Sequence, residues 1–229
     1  MEELDIATVT RRSIHGVFAL VSRTFFIQLI NLAVITILYA VLTEAEIGIF
    51  FVVSASIAFL AYFSDIGLAA ALIQKKEALT DEDLKTTFTI QQLLVIVICC
   101  VAFGLAGFVG NLYDLNQEGI FLFQALVVSF FLSSLKTIPS IILERNLRFD
   151  KLVIPQILET LAFNIVVLTL ALQGFGIMSY TYAVLARGIV GLAVMYLIAP
   201  WRIGISFSKQ VAKKLLSFGI PFQSNSVLA

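Results

Sequence analysis

Long apolar runs alternate with short polar breaks along this chain. A transmembrane helix needs roughly 20 mostly apolar residues. Six runs meet that length: residues 13–42, 47–73, 86–112, 119–143, 152–172 and 177–200. A helix satisfies its backbone polar groups internally, so each run is predicted to be a helix and not a strand of an open sheet. The connections are short, which makes consecutive helices antiparallel neighbours. The fold class is an all-α polytopic membrane protein. After the sixth run, residues 207–216 form a basic amphipathic stretch, and an apolar segment then begins at Ser217 and stops at Ala229. That last piece is shorter than a span. The expectation is an N-terminal six-helix lobe over residues 1–207. Residues 208–229 then hold the amphipathic segment and the start of a truncated seventh helix, and the chain reads as the N-terminal half of a longer membrane protein.

Composition agrees with the pattern. Hydrophobic residues make up 60% of the 229 and charged residues 13%, and mean hydropathy is +1.01. Ordinary soluble domains are about 45–50% apolar and about 25% charged. The excess is too large for a soluble core and implies a lipid-facing surface. Formal net charge is zero, which argues against a nucleic-acid partner.

The basic residues are placed unevenly. Arg11 and Arg12 precede the first span. Lys75, Lys76 and Lys85 lie between the second and third, Arg145, Arg148 and Lys151 between the fourth and fifth, and Arg202, Lys209, Lys213 and Lys214 after the sixth. The other connections, residues 43–46, 113–118 and 173–176, contain neither Lys nor Arg. Basic loops stay in the cytoplasm, so the N-terminus is predicted to be cytoplasmic. The start of the chain is acidic before it is basic, and the first run continues to Leu42. This fits a retained span better than a cleaved signal. Cys99 and Cys100 are neighbours within an apolar run. They cannot readily pair, no metal-ligand spacing is present, and no cofactor is expected.

The polar residues inside the spans form stripes at 3.6 residues per turn. Thr24, Gln28 and Asn31 share a face of the first span, with Arg23 at its edge. Ser54, Ala58, Ala61 and Asp65 follow one line of the second, and Ser129, Ser133, Lys136 and Ser140 one line of the fourth. Gln156, Glu159, Thr160 and Asn164 lie on one side of the fifth, and Tyr180, Arg187 and Gly191 line up on the sixth. The third span has no central charge and reads as the peripheral helix. Its Gly104, Gly107 and Gly110 suggest close helix packing.

Five ionisable groups thus lie at membrane depth: Arg23, Asp65, Lys136, Glu159 and Arg187. Each costs on the order of 3 kcal/mol at the bilayer centre, so each is expected to face a polar interior. Buried charges are normally paired, and Asp65 and Glu159 are candidates for ion pairing or for coupling. Arg23 and Lys136 can also snorkel to the cytoplasmic face. Arg187 is deeper, and its planar fork suits an anionic substrate. The candidate binding set is Arg23, Gln28, Asn31, Lys136 and Arg187. His15, the only histidine, reads as an interfacial side chain.

SDIGLAAALIQKKE (64–77) and PSIILERNLRFDKLVIPQILE (139–159), with RRSIHGVFAL (11–20) and APWR (199–202), carry a resemblance. The chain resembles the Wzx-type polysaccharide or oligosaccharide flippases of the multidrug/oligosaccharidyl-lipid/polysaccharide exporter superfamily. The resemblance implies two similar lobes around a central cavity. It implies movement of an undecaprenyl-diphosphate-linked oligosaccharide across the cytoplasmic membrane by alternating access, in the biosynthesis of envelope polysaccharide such as lipopolysaccharide. Arg23, Lys136 and Arg187 would meet the diphosphate. Gln28, Asn31, Asn164 and the serine stripes would meet the glycan. The implied partners are the lipid-linked oligosaccharide, the missing C-terminal lobe, and polymerase and assembly proteins. A cation-coupled drug or metabolite exporter of the same superfamily is the alternative, with Asp65 and Glu159 as coupling groups. An enzyme is not expected. General acid–base chemistry wants His or carboxylates poised together, and there is no P-loop.

Overall fold

A computed structural model describes the backbone of residues 6–62, 64, 67–75 and 77–228. It describes side chains from residue 21 onward, except 62, 220, 222 and 224–228. Asp65 and Lys76 lie outside the described residues, as do the side chains of Arg11, Arg12 and His15. The described chain is helical, with no strand. The helices are α1 (Ile6–Val41), α2 (Glu44–Tyr62), α3 (Leu68–Gln74), α4 (Asp81–Leu112), α5 (Gln117–Ser134), α6 (Thr137–Arg145), α7 (Phe149–Leu172), α8 (Met178–Ile198) and α9 (Lys209–Leu228). Six of them, α1, α2, α4, α5, α7 and α8, are long and apolar enough to cross a membrane. This is a multi-pass membrane protein.

The lipid-facing surface explains the composition. On α4, Leu93, Val97, Val101, Leu105, Phe108 and Leu112 are all exposed and recur every three or four residues along one face. The opposite face of α4 packs on α5. The central pair is α7 and α8, joined by a turn in which Gly174 (φ 82°) and Gly176 (φ 55°) take left-handed backbone. α5 packs on α8, α1 on α7, and α2 on α5. Val53, Val95, Leu122, Phe123, Val127, Val167 and Ala183 form the core among them.

Two predicted spans are broken. The run 47–73 is α2 followed by α3, and Gly67 before α3 takes φ 77°. A Cβ on Gly67 would lie 2.7 Å from the Cα of Gly219 on α9, so two bare backbones meet here. The run 119–143 is α5 followed by α6. Pro139 is the third residue of α6. It has no N–H for the Leu135 carbonyl, and its ring crowds that carbonyl. The freed Leu135 oxygen instead accepts the Tyr196 hydroxyl of α8 at 3.1 Å. Across the break, Gln91 donates to Thr137 (2.9 Å) and Gln92 to Ser134 (3.1 Å). These two glutamines of α4 therefore hold the α5–α6 junction.

Other boundaries follow from local chemistry. α4 begins at Asp81, a turn earlier than hydropathy suggests, because Thr80 and Asp83 form a reciprocal capping box. α6 ends in a Schellman arrangement. Arg148 N donates to Leu143 O and Leu147 N to Glu144 O, both at 2.9 Å, with Leu147 at φ 55°. The amphipathic stretch and the apolar segment of the tail are one continuous helix, α9, with Pro221 inside it. The glycine series of α4 differs from expectation. Only Gly110 is closely approached, by Ile120, while Gly104 and Gly107 have open space where a Cβ would stand. Cys99 is buried, Cys100 is exposed, and both are free.

At one end the basic segments meet. Arg145 of α6 donates to the Leu72 carbonyl of α3 at 2.7 Å and to the Glu77 carbonyl. Lys214 of α9 pairs with the Glu77 carboxylate at 3.2 Å, and Lys75 with Asp83 at 2.5 Å. The exposed Glu77 carboxyl is held below its usual value chiefly by the hydrogen bond from Lys214. Beneath lies a small second core of Leu68, Leu72, Ile138 and Leu215, where Trp201 packs edge-on against Phe88 with 5.1 Å between ring centroids.

Candidate functional site

The polar stripes of α1, α7 and α8 and the α5–α6 break face one cavity of about 830 Å³. α1 supplies Arg23, Gln28 and Asn31, spaced so that they share a face. The break supplies Lys136 and Ser140. α7 supplies Gln156, Glu159, Thr160 and Asn164, and α8 supplies Tyr180 and Arg187. Every residue of the predicted binding set lines this cavity. So does Glu159, whereas Asp65 lies outside the described residues.

The charges are organised around Glu159. Lys136 Nζ forms an ion pair with Glu159 Oε1, and Arg187 Nε lies 3.9 Å from Glu159 Oε2. The Lys136 and Glu159 side chains are each only 12% exposed, while Arg187 is 55% exposed. Lys136 stands at the N-cap of α6, so the break that Pro139 imposes also presents this cation. A Cβ on Gly191 would collide with the Glu159 carboxylate. The bare backbone of α8 thus gives Glu159 a flat place to lie. Arg23 donates to the neutral Gln156 side chain and, at 3.2 Å, to Thr24, and its Nε has no hydrogen-bond partner. Three cations and one carboxylate line the cavity among the described residues, so its wall carries two positive charges in excess. That is one more than pairing with both Asp65 and Glu159 would leave.

Neutral polar groups continue the wall. Asn164 Nδ2 donates to Asn31 Oδ1 at 3.0 Å. This bond and Arg23–Gln156 tie α1 to α7 at two levels. Farther along, the lining turns aromatic. Phe50 stacks on Tyr180 with centroids 4.1 Å apart and planes 11° apart, and Phe163 packs beside them. The buried Tyr180 hydroxyl has no hydrogen-bond partner.

Several expectations need correction. The serine stripe of α5 does not line the cavity. Ser129 is buried against α8, where its hydroxyl donates to the Val184 carbonyl at 2.9 Å and Gly188 makes the room; of the serines on that line, Ser140 is in the lining. Ser54, Ala58 and Ala61 of the α2 stripe do not line the cavity either. Ser54 Oγ is buried without a partner, and α2 instead presents Phe50 and Phe51. The aromatic end was missed by sequence reasoning, because hydropathy gives a cavity-facing Phe and a lipid-facing Phe the same value. The one usable signal was Tyr180, a polar aromatic on the line of Arg187.

A family model described as a polysaccharide biosynthesis protein matches residues 37–229. The match takes in α2 to α9, and with them Lys136, Glu159 and Arg187; it begins after the polar α1 residues of the cavity, Arg23, Gln28 and Asn31. No curated protein and no solved structure matches the chain.

Proposed function

The chain belongs to the polysaccharide biosynthesis protein family, and from that membership we propose that it is one lobe of a flippase. The flippase moves undecaprenyl-diphosphate-linked oligosaccharide across the cytoplasmic membrane by alternating access. The observation that carries this reading is the cavity with Arg23, Lys136 and Arg187 on its wall against, among the described residues, the one carboxylate of Glu159. A diphosphate head group needs cations at membrane depth, and Arg meets phosphate oxygens with parallel hydrogen bonds. Asn31, Asn164, Gln28 and Thr160 add the amides and hydroxyl that a glycan can use. A volume of about 830 Å³ falls in the usual range for ligand sites.

The work is a change of conformation, with no bond made or broken. A second lobe completes the cavity on the side where Arg187, Gln28 and Asn31 are exposed. The meeting of the basic segments of α3, α6 and α9 at one end supports a cytoplasmic placement of that end, and with it of the N-terminus. A polymerase and assembly proteins act on the flipped product. A cation-coupled exporter of drugs is disfavoured by the positive excess of the wall.

The test is replacement of Arg187 by Ala and by Lys in cells. Surface polysaccharide, accumulated lipid-linked intermediate and protein level are measured together. Arg187→Ala is expected to lower export at least tenfold with normal protein and accumulated intermediate, on the scale of one lost charge-assisted contact. Arg187→Lys is expected to recover part of it. Normal export in both variants overturns the role of Arg187.

A further inference from the structure

Glu159 is the one carboxylate on the cavity wall among the described residues, and it is built in. Its Oε1 pairs with Lys136, its Oε2 lies 3.9 Å from Arg187 Nε, and Gly191 leaves the space its carboxylate occupies. Two carboxylate oxygens thus engage two cations from two other elements. An incoming phosphate group would make the same demand with two of its own oxygens. Arg23 stands apart from this cluster, on Gln156.

We propose that Glu159 is a resident counter-ion: it holds Lys136 and Arg187 while the cavity is empty and is displaced by the anionic group of the substrate. The proposal rests on the reading of this cavity as the site of an anionic head group and adds how that group is selected. A ligand carrying one carboxylate offers Lys136 and Arg187 no more charge than Glu159 already does. A phosphate or diphosphate ester offers more, and Arg23 can meet the surplus. The cavity therefore admits phosphate-linked substrates and excludes acidic sugars that lack a phosphate. The resident carboxylate also keeps two cations satisfied at membrane depth before substrate arrives, where an unpaired charge is costly.

The test is calorimetric titration of the detergent-purified full chain with inorganic pyrophosphate and, separately, with glucuronate. Glu159→Gln keeps the shape and removes the charge. It is expected to bind pyrophosphate about tenfold more tightly than wild type, the scale of one close charge pair released, and to bind glucuronate measurably where wild type does not. Unchanged or weaker pyrophosphate binding in Glu159→Gln means that the carboxylate positions the cations and does not compete, which overturns the proposal. If Glu159→Gln does not fold, Glu159→Asp takes its place. The shorter side chain cannot reach both cations, so tighter binding by a few-fold is expected, and wild-type affinity overturns the proposal. The two readings fail separately. Tighter pyrophosphate binding in Glu159→Gln, with export in cells indifferent to Arg187, removes the flippase and keeps the counter-ion. Export that needs Arg187, with titrations indifferent to Glu159, does the reverse.

Discussion

At the scale of single residues, the cavity depends on one missing side chain. Gly191 sits where a methyl group would run into the Glu159 carboxylate. The colliding atoms are the far end of a flexible side chain, so Gly191→Ala is expected to move Glu159 and not to unfold the helix pair. The predicted result is a melting temperature within a few degrees of wild type and tighter pyrophosphate binding by several-fold, in the direction of Glu159→Gln. A large loss of thermal stability in a detergent melt would mean that α7 and α8 cannot absorb the methyl. The meeting of Arg23, Gln28, Asn31, Lys136, Glu159 and Arg187 in one cavity was legible in the sequence, because polar groups in apolar spans have few places to go. The fate of Ser129 was not. It follows the same line as Lys136, yet its hydroxyl is used up on the Val184 carbonyl, and period alone cannot tell a helix contact from a cavity wall.

At the scale of elements, hydropathy located the six spans and missed the two breaks. The break before α6 had a local cause in Pro139, but the apolar count runs straight through a proline. The break before α3 meets a distant element. Gly67 matters because Gly219 of α9 presses on it, and nothing near Gly67 in the chain announces that. The turn from α6 to α7 offers a direct test. Leu147 occupies the left-handed position of a Schellman ending at φ 55°, where a Cβ is strained. Leu147→Gly is expected to stabilise the protein by about 1 kcal/mol, read as a rise in melting temperature in detergent. A fall would show that the leucine side chain contributes more by packing than the backbone loses by strain.

At the scale of the whole molecule, the basic end is tied together by charges that titrate. The Glu77 carboxyl has its folded pKa depressed below the ordinary value of 4.5 by the hydrogen bond from Lys214. A depressed carboxylate contributes stability above its unfolded pKa and loses it as pH falls through the folded pKa. The link between α9 and the α3–α4 loop is therefore expected to be intact at neutral pH and to weaken below pH 4.5. Trp201, the single tryptophan, packs in the core beneath this link, and its emission should shift to the red on acidification. Glu77→Gln is expected to start part-way along that shift at neutral pH and to respond less to acid. The two polar ties between α1 and α7 carry a different consequence, one of timing. Arg23–Gln156 and Asn31–Asn164 each join residues 133 positions apart. At the 5–20 residues per second of protein synthesis, roughly 7–27 s pass between the two partners. For that interval α1 waits in the bilayer with its guanidinium and amides unmatched by α7, so the insertion machinery has to shelter the first helix until the seventh is made.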